Sequence, residues 1–459
     1  MYSMPIHVVP KSTPGEYRMI TDHSAGDYSL NSMIARDDIA GYPLDGMKHL
    51  GERLLHIRRT EGNMRMVMAK SDVAEAYRLL PMHPHWQIKQ VNTVQRGVFH
   101  VDRNNAFGGR ASGCIWIAFN GLVTWIAIHV KGLRWLLVYS DDSFISDWSG
   151  RLTLDPIFQK LMPTNQVELM SLWRELGIPY KEKKQLFDSV LTIIGIDVDP
   201  NAMTMTLSQV RRDDLVQELT EFCQVPTDGT PEVGHPLRRW QSLAGWMNWA
   251  FNVFPLLRPS LNNFYLQLSG KENPNELIIP TQTVREDLQW AATHINTSDG
   301  VHLLRSLDWG IDAADVVVYC DACENGIGFW YPSSQKACYA PIRAGLNNEL
   351  TAFTETLCVL AAFRDVVTSF PRAEKILIFT ENTSTVAMFG SLGCRPGYNE
   401  IIKASVDLRL QHPHVQLRVL LVRREHNAAA DAVARTDFDR ALEVAIFDAP
   451  PLLPPTIQV

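Results

Sequence analysis

The stretch LRWLLVYSDDSFISDW, Leu133–Trp148, constrains the fold more than any other part of the sequence. Two apolar runs flank a pair of adjacent carboxylates, Asp141 and Asp142. Both runs are short and rich in strand-forming residues, so they read as a hairpin with the acids at its tip. Like charges side by side repel, and burial raises the cost of keeping them ionised. Such a pair is held at the end of a buried sheet when cations or hydrogen-bond donors complete it. The plain alternative is an acidic turn in water, where Asp is common.

A second strand narrows the choice. MVMAKSDVAEAY places Asp72 at the end of an apolar run. If the two elements are neighbours in one sheet, three carboxylates converge at one edge. Mg²⁺ suits such an edge, because it takes a few carboxylates together with phosphate oxygens and water. Two such ions serve in-line phosphoryl transfer by stabilising the attacking and leaving oxygens.

The chain has 459 residues, enough for two to four domains. Its net charge of −7 disfavours a surface coated in positive potential, so any nucleic-acid contact must be local. Lys181, Lys183 and Lys184, then Arg211 and Arg212, then Arg238 and Arg239 are the candidates, against the plain reading of solvated faces. Seven cysteines without framework spacing point to a reducing, intracellular compartment, cytoplasmic or nuclear. The first residues lack a basic start followed by an apolar run, so no signal peptide is expected. CIWIAFNGLVTWIAIHV, Cys114–Val130, is at the short end for a bilayer crossing and contains Asn120 and His129. It is expected to be a buried helix, with no membrane as partner.

The pattern changes along the chain. From Leu207 to about Asn296, apolar residues recur at helical spacing in LSQVRRDDLVQELTEF, RRWQSLAGWMNWAFNVF and TQTVREDLQWAATHI. From about Val301, strand and helix alternate again. The end, APPLLPPTIQV, is Pro-rich and expected to be disordered.

Read together, these segments resemble a reverse transcriptase. YSDD, Tyr139–Asp142, resembles that family's Y-x-D-D signature. SDVAEAYRLLPMHP resembles its first catalytic motif, with Asp72 followed five residues on by Tyr77. AFGGRASG resembles the loop that packs against template and nucleotide, LGIPYKEKKQ and LTIIGIDVD the next two motifs, and VPKSTPGEYRMITDHSAGDYSLN the finger hairpin. These motifs in order are specific where each alone is weak. The resemblance implies that Asp72 and Asp141 bind two Mg²⁺ ions with Asp142 in support. It implies that Lys11 and Arg18 neutralise the triphosphate. Tyr77 would wall off the sugar 2′ position, and Phe107 and Gly108 would line the nucleotide pocket. Plain core packing is the alternative for Tyr77 and Phe107. The family normally carries further finger sequence ahead of this point, which leaves a partial gene product open.

The last region resembles the ribonuclease H domain that follows the polymerase in many retroelements. Asp321 in VVVYCDA, Glu349 in NNELTAF, Glu381 in LIFTEN and Asp431 in HNAAADAVAR would be its four Mg²⁺-binding carboxylates, with His426 nearby. Most members have Asp where this chain has Glu381, one methylene longer, which puts activity in question. The segments HNAAADAVAR and TENTSTVAMFGSL resemble tyrosine-recombinase-type retrotransposons. CDAC, Cys320–Cys323, has no second cysteine pair nearby and reads as strand, so a metal role is rejected.

The expected architecture is a mixed α+β and α/β multidomain chain. Fingers and palm, with an antiparallel palm sheet, take 1–205. A helical thumb or connection takes 206–300, a ribonuclease H-like α/β domain 301–440, and a disordered tail 441–459. The implied function is RNA-directed DNA synthesis from deoxynucleoside triphosphates on an RNA or DNA template with primer. The alternatives are a decayed or repurposed retroelement protein that binds nucleic acid or a partner without chemistry, and an RNA-templated RNA polymerase. Tyr77 and the trailing region argue against the last.

Overall fold

Sequence patterning places Asp72 on a strand, and the computed structural model shows what that strand joins. It describes all residues except 1–2, 11–14, 16, 227–231, 233, 306–308, 325, 343–350, 396 and 448–459. Of the tail expected to be disordered over 441–459, residues up to 447 belong to a helix, Phe438–Phe447, and the rest, like Lys11 and Glu349, lies outside the described residues. Helix and sheet are mixed along the chain, which divides into two units, Met1–Met205 and Thr206–Val459.

The first unit opens with an antiparallel hairpin, β1 (Ile6–Pro10) and β2 (Tyr17–Thr21). Its central sheet runs through β3 (Met66–Asp72), β4 (Leu136–Tyr139), β5 (Asp142–Trp148) and β8 (Leu186–Asp188) in the order β8-β3-β5-β4, antiparallel throughout. Between them lie helix α1 (Ser112–His129), the hairpin β6 (Leu152–Asp155) and β7 (Lys160–Pro163), and helix α2 (Thr164–Glu175). A further hairpin, β9 (Leu191–Ile193) with β10 (Ile196–Asp199), follows.

Strand alternation sorts the two faces of this sheet. Ala69, Leu136 and Ile145 meet Trp116, Val123 and Ala127 of α1 and Val167, Met170 and Trp173 of α2 in one buried cluster. On the other face Met68, Lys70 and Asp72 stand opposite Ser146, Phe144 and Asp142. The start of α2 is pinned to the sheet, since the Asn165 backbone N–H donates to buried Asp147 Oδ2 at 2.7 Å. Gln166 Nε2 donates to Ser71 Oγ at 3.1 Å.

Helix α1 departs from the expectation of a buried helix. By length and composition it would suffice to cross a membrane, yet only 28% of it is buried within the chain. Trp116, Val123 and Ala127 enter the core, whereas Leu122 and Trp125 on the far face are exposed. The sequence is apolar all round, so periodicity could not separate the packed face from the open one. Asn120, the polar residue inside the run, is buried, and its Nδ2 donates to the Ser140 carbonyl at 3.0 Å.

The second unit begins with helices α3 (Gln209–Phe222), α4 (Leu237–Ala250) and α5 (Gln282–Thr297). Phe222 meets Trp240 edge-on, and both rings pack at a tilt against Phe264. A five-stranded sheet follows, formed by β11 (Val316–Ala322), β12 (Gly326–Tyr331), β13 (Lys336–Pro341), β14 (Lys375–Thr380) and β15 (Gln416–Leu421). Its order is β13-β12-β11-β14-β15, antiparallel on the first side of β11 and parallel on the other. Helix α6 (Thr351–Ser369) covers one face with Val359, Ala362, Phe363 and Val366. Helix α7 (Asn399–Gln411) carries Lys403, whose Nζ reaches Asp287 Oδ1 of α5 at 2.8 Å, with both side chains nearly buried. Asn263 and Asn399 donate to the other Asp287 oxygen at 2.8 and 3.0 Å. Helix α5 is therefore bonded to helix α7.

Asn120→Ala is expected to cost about 1–2 kcal/mol, because it removes a buried side chain that is one of two donors to the part-buried Ser140 carbonyl. Urea denaturation followed by tryptophan fluorescence measures it, and an unchanged midpoint would show that the bond carries no weight.

Candidate active sites

The first site begins with the β3–β5 register. Asp72 lies directly opposite Asp142, and Tyr139 pairs with Asp142 across the hairpin. Directly opposed residues hold their Cβ atoms about 5 Å apart, so like charges there are destabilising. Burial pushes the Asp72 carboxyl above its usual range; a hydrogen bond and charge from Lys184 pull it down, while the charges of Asp141 and Asp142 push it up again. The three acids thus act on one another at one end of the sheet.

Two lysines offset the repulsion. Lys70, two residues before Asp72 on the same face, places Nζ 3.0 Å from Asp142 Oδ2. Lys184 places Nζ 2.6 Å from Asp72 Oδ2. Gln185 Nε2 donates to the Asp72 carbonyl at 3.1 Å. Asp72 Oδ1 is buried without a hydrogen-bond partner.

The turn carrying the acids is strained and clamped. Ser140 has φ +59°, a left-handed conformation that a non-glycine residue adopts at a cost of roughly 1–3 kcal/mol. Its carbonyl accepts from Trp116 Nε1 and Asn120 Nδ2, each at 3.0 Å. Its hydroxyl lies 3.4 Å from the Tyr77 hydroxyl. Tyr77 in turn packs on Phe107, ring centroids 5.1 Å apart, and meets Trp116 edge-on at 6.4 Å. Phe107 is half exposed. Gly108 has φ +101°, and a Cβ there would stand 3.3 Å from the Thr21 carbonyl at the end of β2. Asn31 fixes this loop by donating to the Gly108 carbonyl at 2.9 Å and accepting from the Arg110 N–H at 2.6 Å.

Of the residues the sequence points to, Asp72, Asp141, Asp142, Tyr77 and Phe107 gather around one strand end, and Gly108 adjoins Phe107. Arg18 lies on β2 opposite Val9, with its side chain outside the described residues. Lys70 went unread in the sequence, and Lys184 was read only as part of a basic cluster. The signal for Lys70 was its spacing of two from Asp72 on a strand, which puts both on one face.

The second site sits on the sheet of the second unit. Asp321 on β11 is 6% exposed. Burial raises its carboxyl to about 8, with further pushes from Glu355, Asp431 and Glu381 in that order. Glu355 of α6 is buried, raised to about 7 mainly by burial, and accepts from Thr380 Oγ1 at 3.1 Å. Glu381, just past β14, is raised by burial, and its Oε1 is buried without a hydrogen-bond partner. Asp431 on helix α8 (Ala428–Ala434) pairs with Arg435 at 2.8 Å. His426 lies in the turn before α8, 3.7 Å from Glu425. Among the described residues, Glu355 is the α6 acid that acts on Asp321, whereas the sequence reading named Glu349, which lies outside them. The α6 stripe explains it: Glu355, Val359, Ala362 and Val366 follow i, i+4, i+7, i+11, so Glu355 heads the face turned to the sheet.

No group of three or more His, Cys, Asp or Glu stands ready to enclose a metal ion among the described residues. Cys320 is buried and Cys323 donates to the Ala434 carbonyl at 3.0 Å, so CDAC packs as strand and turn. The donor chemistry at both acid sites nonetheless fits Mg²⁺. All donors are hard carboxylate oxygens, each site has an orphaned buried oxygen, and Mg²⁺ prefers one or two carboxylates plus substrate oxygens to a protein cage.

No protein-family model and no curated protein matches the sequence. Solved structures similar to the chain include a foamy viral protease-reverse transcriptase in three complexes. One, the dRH form with double-stranded DNA, has a TM-score of 0.45 at 17% identity and covers 91% of this chain and 65% of its own. A second, with an RNA/DNA hybrid, has a TM-score of 0.44 at 17% identity, covering 91% and 50%. A third, with double-stranded DNA, has a TM-score of 0.46 at 16% identity, covering 92% and 78%. The chain thus spans between half and about four-fifths of the length of these proteins.

In metal-free buffer, stability should fall as pH rises from about 5 to about 8. Unfolded carboxyls ionise near pH ~4, while folded Asp321 and Glu355 keep their protons up to about 8 and about 7, so the folded chain binds more protons in that window. Asp321→Asn should flatten the slope. Denaturant midpoints at pH 5 and pH 8 for both chains decide it, and identical slopes would refute the assignment.

Proposed function

We propose that the chain is an RNA-directed DNA polymerase of retroelement type with a linked ribonuclease H-like module. The observation that carries this reading is the placement of Asp72 opposite Asp142, with Asp141 acting on the same carboxyl, at the open end of an antiparallel sheet. Bound there, Mg²⁺ would supply charge neutralisation as a primer 3′-hydroxyl attacks the α-phosphate of a deoxynucleoside triphosphate and pyrophosphate leaves. Asp72 and Asp141 would hold the ions and Asp142 would support them. Catalysis by the protein then consists of positioning. The clamped Ser140 turn fixes both acids, and Tyr77 packed on Phe107 presents a rigid wall to the sugar. Lys11 and Arg18 would meet the triphosphate, and Gly108 would let the loop approach it. Template and primer, RNA or DNA, complete the set of partners, and the site of action is intracellular. The resemblance to tyrosine-recombinase-type elements belongs to the same proposal.

In the second unit, Asp321, Glu355, Glu381 and Asp431 would hold Mg²⁺ for hydrolysis of the RNA strand of a hybrid. Burial, with a further push from neighbouring carboxylates, raises Asp321 to about 8 and Glu355 to about 7, so added cations would favour their ionising together near pH 7. A repurposed, non-catalytic protein is the second reading, favoured by the lysine pairs that already neutralise Asp72 and Asp142.

Primer extension on an RNA template is the test. Deoxynucleotide incorporation that needs Mg²⁺ and drops at least 100-fold in Asp141→Asn supports the polymerase. A folded chain that binds template but never extends it supports the second reading, and a preference for ribonucleotides rejects both. Separately, Glu355→Gln should abolish cleavage of a labelled RNA–DNA hybrid without altering extension.

A further inference from the structure

Lys181 and Lys183, singled out in the sequence as a local basic cluster, line a cavity of about 590 Å³ in the first unit. Lys160 of β7 stands on the opposite element, next to Glu182. Phe158 and Phe187 supply aromatic surface, and Phe187 is 39% exposed. One polar group there is unsatisfied. Gln185 lines the cavity and is 7% exposed. Its Nε2 is used by the Asp72 and Lys181 carbonyls, at 3.1 and 3.2 Å, while its Oε1 is buried without a partner. A buried acceptor left unpaired costs about 1–3 kcal/mol, which a ligand N–H or O–H would recover.

We infer that this cavity binds a segment of single-stranded nucleic acid, with bases on Phe158 and Phe187, phosphates on Lys181, Lys183 and Lys160, and a base or sugar donor on Gln185. Sequence-tolerant single-strand sites combine these parts: a basic groove tracks the backbone and aromatic rings stack bases. Charge complementarity selects the occupant, since three ammonium groups against the one carboxylate of Glu182 leave the cavity basic on a chain of net charge −7. Lysines on two elements serve more than one phosphate, which favours a strand over a free nucleotide. The cavity also joins the acid site. Lys184, next to Lys183, reaches Asp72, and Gln185 touches both. The inference rests on the nucleic-acid part of the function proposed above, but on different residues.

The test uses the full chain and a fluorescein-labelled 12-nucleotide DNA strand, read by anisotropy across a salt series, with circular dichroism to verify folding. The double variant Lys181→Ala/Lys183→Ala should weaken binding several-fold and lower the slope of log affinity against log salt by about 1.4, two phosphates' worth. Phe187→Ala should weaken binding about 5-fold or more with the slope unchanged. Wild-type affinity and slope in the double variant, in a protein that still extends primers, overturn the cavity site and leave the polymerase. Strand binding that depends on these residues without any extension keeps the cavity site and removes the polymerase. Competition by deoxyadenosine monophosphate at equal concentration, or loss of binding confined to a polyglutamate peptide, overturns the inference by assigning the cavity to a free nucleotide or an acidic protein.

Discussion

Repulsion among Asp72, Asp141 and Asp142 is the constraint on which the first unit depends. Antiparallel pairing of β3 with β5 forces Asp72 and Asp142 into direct opposition, and the hairpin turn adds Asp141. The surrounding structure answers that charge. Lys70 and Lys184 neutralise two of the acids, Trp116 and Asn120 hold the turn through the Ser140 carbonyl, and the helix that carries them is packed by the sheet's other face. Helix, turn and strands are therefore solutions to one electrostatic problem.

The second unit meets a related problem by a different route. Asp431 pairs with Arg435 there, while burial raises Asp321 and Glu355 toward neutral pH. A group kept protonated by its surroundings ionises when a cation arrives, so the Mg²⁺ binding proposed above would release protons there. In the first unit the acids already have cationic partners, and any ion must compete with them. Burial thus raises a carboxyl in both sites, Asp72 in one and Asp321 with Glu355 in the other, and at Asp72 the ion pair with Lys184 pulls against it.

Buried polar side chains repeatedly fix elements that apolar packing alone would leave free to slide. Asp147 and Gln166 anchor α2 to the sheet, Asn31 holds the Gly108 loop, and Asp287 with Lys403 joins α5 to α7. Each such contact is directional, so it selects one register where a hydrophobic face would accept several.

Local pattern determined a good deal. Strand alternation located Asp72 and the double-acid hairpin, helical spacing outlined the segment from Leu207 to Asn296, and strand–helix alternation marked the last region. These are properties of neighbouring residues, set by the two backbone periods. What joined distant segments was decided only in three dimensions. Lys70 and Lys184 as partners of the acids, Asn120 as the clamp on Ser140 and the exposed far face of α1 depend on which surfaces meet, and no local period encodes that. Glu355 lay between the two cases: its helical stripe was visible in the sequence, but only the sheet beside it showed which face mattered.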